Sequence, residues 1–83
     1  MSMIGEIKLW GGQWAPRGWR FCDGSTLDLN DWTVNALACI IGQNYGGSGA
    51  KFELPNLAPV PDIDGRGASR YIICVQGEFP LQS

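Results

Sequence analysis

Apolar and polar positions alternate most clearly near the two ends of the chain. From Ile4 to Trp10, Ile7 and Leu9 face one way while Glu6, Lys8 and Trp10 face the other, which predicts a strand. Gly11-Gly12 and Ala15-Pro16-Arg17-Gly18 then break the ladder, and Trp19 to Cys22 resumes an extended run closed by Asp23-Gly24. These two runs are expected to form a hairpin carrying bulky side chains, with Trp10, Trp14, Trp19 and Phe21, together with Leu37 further on, organising the fold. In the middle of the chain the period changes. Val34, Leu37, Ala38 and Ile41 fall at i, i+3, i+4 and i+7, predicting a helix over about 31–41 with one apolar stripe against the tryptophan-bearing hairpin. Asn30 or Asp31 is placed to cap it and Gly42 to end it.

The remaining segments read more simply. Residues 43–51 form a glycine-rich loop in which Tyr45, Gly46 and Gly47, with Phe52 beside them, set the shape. Phe52 and Leu54 share one face of a short extended piece stopped by Pro55, and 56–69 reads as an irregular loop. The closing strand, within 70–80, contains Tyr71 to Gln76 and is apolar on both faces, so burial on both sides is expected. The fold class that follows is α+β, mainly β: a small twisted antiparallel or mixed sheet, one short helix and long Gly/Pro-rich loops, in a single domain over 1–83.

Composition narrows what such a domain can do. At 83 residues a single core supplies only a few kcal/mol. With 17% charged residues and four tryptophans, some apolar surface is expected to be covered by neighbouring chains. Six basic and eight acidic residues, scattered singly, give net −2 and no stripe to neutralise phosphates, which argues against nucleic acid as a partner. No apolar run approaches the ~20 residues of a membrane span, and no signal-peptide pattern opens the sequence.

The catalytic vocabulary is thin. The chain has no histidine, which removes the commonest general base and metal ligand. Asp62-Ile63-Asp64-Gly65 starts like a calcium loop but fails at the fifth position, Arg66, and the twelfth, Ile73. Gly46-Gly47-Ser48-Gly49 lacks the strand-to-helix setting of a phosphate loop, and Phe52 stands where a final glycine is needed. Asp28 and Asp31 flank the helix start, where they suit its dipole. No enzyme activity, metal or cofactor is expected.

Cys22, Cys39 and Cys74 form no metal motif; they read as small buried side chains or as candidates for a disulfide within or between chains. Trp10, Trp14, Trp19 and Trp32, with Tyr45 and Tyr71, could stack on sugar rings. The alternative is that Trp19 and Trp10 are core, with Trp14 or Trp32 at a subunit contact.

One run of motifs is more specific. Gly5-Glu6-Ile7, Ala15-Pro16-Arg17-Gly18-Trp19 and Phe21-Cys22-Asp23-Gly24 are followed by Ala36-Leu37 and Ile41-Gly42. Tyr45-Gly46-Gly47 and Phe52-Glu53-Leu54-Pro55-Asn56-Leu57 complete the set. Over about residues 4–61 this series resembles the phage tail collar domain family, which includes short tail fibre proteins and small proteins of the microcystin-dependent type. The run 71–80 is similar to the closing strand of longer members, whereas their long glycine-rich central region is cut to about a dozen residues. The resemblance implies a structural module of a phage tail, homotrimeric and docked to other virion proteins. A second expectation is a host-surface glycan-binding tip in which Trp14 and Trp32 stack on sugar.

Overall fold

The computed structural model describes residues 2–61 and 68–79; the Asp62–Gly65 segment compared with a calcium loop lies outside the described residues. The elements run β1 (Ile7–Trp10), β2 (Trp19–Phe21), β3 (Thr26–Asp28), α1 (Asn35–Ile41), β4 (Lys51–Glu53), β5 (Val60–Pro61) and β6 (Ala68–Cys74). The class is mainly β with one short helix, as the alternation predicts.

The expected hairpin does not form. β1 and β2 each pair antiparallel with β6, giving the order β1-β6-β2. Ile7 stands opposite Ile73 and Trp19 opposite Cys74. The reason lies in β6, whose Ile72, Ile73 and Cys74 are all buried, as is Val75 just past its end. A run apolar on both faces is most stable with a strand on each side, and it displaces the local pairing that Pro16 and Gly18 suggest. Asp23-Gly24 likewise closes no hairpin. β3 pairs with β4 instead, Leu27 opposite Phe52, in a separate two-stranded sheet. Within the stretch expected to be irregular, Val60 and Pro61 pair with Ser69 and Ala68, so β6 starts earlier than the closing strand was expected to.

Because opposite residues in a ladder share a face, the register sorts the side chains. Tyr71, Ile73 and Val75 look toward the main core, where Ile73 and Val75 join Ile4, Cys22, Val34, Leu37, Ile41, Phe52 and Leu54 in one cluster. Ile72 and Cys74 point to the other face, with Lys8 and Trp10 from β1 and Trp19 and Phe21 from β2. The main core therefore contains no tryptophan. The helix stripe of Val34, Leu37 and Ile41 is buried as its spacing predicts, but it joins the cluster of Phe52, Leu54 and Ile73 rather than the indoles.

The helix is also shorter than expected at its start. Asp31 does not cap it; its Oδ1 accepts from the Thr33 N–H (3.0 Å) and hydroxyl (2.7 Å), closing a turn two residues on. Val34 takes the N-cap position with no side-chain cap. At the other end Gly42 adopts φ 53° and donates its N–H to the Ala38 carbonyl at 2.8 Å.

Phe52 is fully buried at the centre of the cluster while Trp14 is 81% exposed. Phe52→Ala is therefore expected to cost about 3–5 kcal/mol, enough to threaten so small a fold, and Trp14→Ala less than about 0.5 kcal/mol. Urea unfolding followed by circular dichroism checks both values.

Candidate functional site

Three aspartates shape the surface through the same local device. Asp23, Asp28 and Asp31 each accept a backbone N–H from two residues on, Ser25 (3.0 Å), Asn30 (2.9 Å) and Thr33 (3.0 Å). The Ser25 hydroxyl also donates to Asp23. These turns carry the chain from β2 round to the helix. For Asp31 the Thr33 hydroxyl and then its N–H stabilise the carboxylate, holding its pKa below the ordinary 3.8. For Asp28 the Asn30 N–H comes first, followed by Lys51 Nζ at 3.3 Å. Lys51–Asp28 is the one ion pair among the described residues.

On the outer face of the sheet, cations take the place a second layer would fill. The Lys8 ammonium lies 4.4 Å from the ring centre of Trp19, reaching across β6, and the Arg70 guanidinium lies 3.6 Å from that of Phe21. Each such contact contributes about 0.5–1 kcal/mol at a partly exposed site. Together they cover Ile72 and Cys74, which are fully buried.

The same side chains hold the loop between β1 and β2. Trp10 Nε1 donates to the Trp14 carbonyl at 2.9 Å, and Arg70 donates to the Gln13 carbonyl at 3.1 Å. Gly12 permits this arrangement, since a Cβ there would fall 2.6 Å from the Trp10 indole nitrogen. Beyond the loop a groove of about 560 Å³ follows β2. Trp14, Trp19 and Phe21 line it with Arg20, Asp23 and Gln76, over an apolar floor that includes Val34, Leu54 and Val75.

The residues singled out from the sequence thus separate into different places. Leu37 and Phe52 are core. Trp10, Trp19 and Phe21 are half-buried on the outer face, and Trp14 stands in solvent at the groove. Trp32 is 80% exposed and does not line the groove, so the structure does not bring the two tryptophans into one stacking surface there. Tyr45 is half exposed. Gly46 and Gly47 have positive φ and lie against the Glu53 carboxylate and the Lys51–Phe52 backbone, leaving no room for a Cβ. Arg20, Asp23, Gln76 and the two cations over the rings escaped the sequence reading. Of these only the Asp-x-Ser spacing at Asp23 carried a local signal.

The cysteines do not pair within the chain. All three are free, and Cys39 is exposed rather than buried because it falls opposite the helix stripe. Burial, with Asp23 beside it, pushes the Cys22 thiol up to about 11, and burial raises Cys74 as well. Among the described residues no group of three His, Cys, Asp or Glu side chains is arranged to hold a metal ion, and no helix is long and apolar enough to cross a membrane.

With this geometry in place, comparison with protein families is decisive. The model of the phage tail collar domain matches residues 5–66 of the 83. The chain belongs to the phage tail collar domain family. Collar domains are structural modules of phage tail fibres, and membership implies a place in the virion tail. A search of curated proteins found no match.

Two measurements test the site chemistry. A thiol reagent at pH 8 should label Cys39 in the native protein, and Cys22 and Cys74 only after denaturation, read by mass spectrometry. The Asp28 and Asp31 carboxyls have lowered folded values, so their contribution is complete above the unfolded value of 3.8 and fades as pH falls through their folded values. Asp31→Ala should therefore flatten the acid side of a plot of urea midpoint against pH.

Proposed function

We propose that this collar domain works as an assembling unit of the tail, a homotrimer docked to other virion proteins, and that it acts by binding rather than catalysis. The observation that carries this reading is the outer edge of β1. In the ladder with β6, the Glu6 carbonyl accepts from Cys74 and the Gly5 N–H donates to Cys74, both at 2.9 Å. By the alternation of an antiparallel ladder, Ile7 and Leu9 then direct their N–H and C=O groups outward. Their side chains are 38% and 46% exposed.

Natural sheets defend such an edge with a charge, a proline or a bulge. Here Lys8, the residue between them, is held over Trp19 on the far side of β6. Met3, which bridges to Glu78 just before β1 begins, and Phe79 are each about half exposed as well. A strand edge whose outward amides have no partner among the described residues fits a different edge of a neighbouring copy, the head-to-tail contact a trimer requires, or a strand of a neighbouring tail protein.

Light scattering should give three times the 9.0 kDa protomer mass. Leu9→Pro removes an outward N–H without touching the ladder to β6, so it should yield a folded monomer, whereas Lys8→Pro should unfold the chain. A wild-type protein that stays at the protomer mass would overturn the assembly reading.

A further inference from the structure

The groove along β2 lies on the opposite edge of the sheet from β1 and carries chemistry that assembly through β1 leaves unused. The geometry points to a pyranose-binding site there: a hexose ring seated on the Trp14 indole, with its hydroxyls held by Arg20, Asp23 and Gln76.

The platform is held in place before any ligand arrives. Trp14 is 81% exposed, yet the carbonyls of Gln13 and Trp14 are both tied down, by Arg70 and by the Trp10 indole. An exposed indole on an anchored loop offers a flat apolar face at low ordering cost. The polar wall supplies both kinds of partner that adjacent hydroxyls need. Arg20 forms no ion pair among the described residues and brings only donors. One Asp23 oxygen is engaged by Ser25, which leaves the other as an acceptor, and the Gln76 amide offers both functions. The exposed Trp14 indole offers the apolar face on which sugar C–H groups pack, and about 560 Å³ lies within the ~300–1,000 Å³ typical of small-ligand clefts.

Two rival ligands fit less well. Asp23 in the wall and the net charge of −2 oppose a phosphate backbone. An extended peptide would add to the β2 edge through successive amides. The Trp19 N–H is already given to the Pro16 carbonyl at 3.0 Å, which leaves Phe21 as the only outward N–H in this three-residue strand.

Saturation-transfer NMR on the purified, assembled protein tests the site. The probes are the methyl pyranosides of glucose, galactose, mannose and N-acetylglucosamine at millimolar concentration, with a valine- and threonine-rich hexapeptide as the peptide arm. Saturation should pass to the ring C–H protons of at least one pyranoside. Trp14→Ala should abolish the transfer, Trp14→Phe should keep part of it, and Arg20→Gln should weaken binding about tenfold. Trp32→Ala should leave it unchanged. Absence of transfer to every pyranoside, transfer that survives Trp14→Ala, or transfer to the peptide alone would overturn the proposal. The site does not depend on the assembly reading: Leu9→Pro should still bind sugar as a monomer, so failure of one leaves the other standing.

Discussion

The central constraint on this molecule is that β6 must be enclosed on every side. Its two faces are apolar and its two edges are hydrogen-bonded, by β1 on one side and β2 on the other. One face closes with the helix and the β3–β4 pair. Among the described residues no layer of secondary structure covers the other, and side chains perform that task. Two half-buried tryptophans and Phe21 lie on that face, and Lys8 and Arg70 sit on two of the rings with their charges toward water. Aromatic rings under cations serve as the outer wall there. The demand for tryptophan near the start of the sequence is largely explained by this one strand.

How much of this could be read in advance depended on the range over which each feature is decided. The helix stripe, the terminating Gly42, the Phe52–Leu54 face and the two-sided burial of the last strand are local properties of periodicity, and they were legible. The pairing of β1 with β6 was not. Pro16, Gly18 and Asp23-Gly24 all carry hairpin chemistry, but local turn preference is worth less than burying Ile72 and Ile73 between two partners, and a long-range competitor leaves no mark on neighbouring residues. The same reasoning explains why the indoles were misplaced. Size and hydrophobicity suggest an interior position, whereas their face was fixed by register with a strand far away in the sequence. Asp31 illustrates a smaller failure: capping and Asx turns draw on one carboxylate, and Thr33 two residues on decided between them.

The groove was invisible for a different reason. Trp14 and Trp32 are alike in composition and exposure, and nothing in the sequence distinguishes them. Only the fold sets Trp14 beside Arg20, Asp23 and Gln76, because Gln76 follows β6 and the other two belong to β2 and the turn after it. A site gathered from both ends of a chain is a property of topology, and motifs of fixed spacing cannot describe it. The family motifs locate the scaffold and contain Asp23 and Gln76, while Trp14 and Arg20 fall between them.

The order of the strands also governs when the molecule comes into being. Ile7 must find Ile73, and Trp19 must find Cys74, so neither early strand has its partner until β6 has emerged from the ribosome. Until then the open edge, the anchored loop and the wall of rings do not exist. A nascent or prematurely halted polypeptide is thereby unable to display the surfaces the full-length one presents.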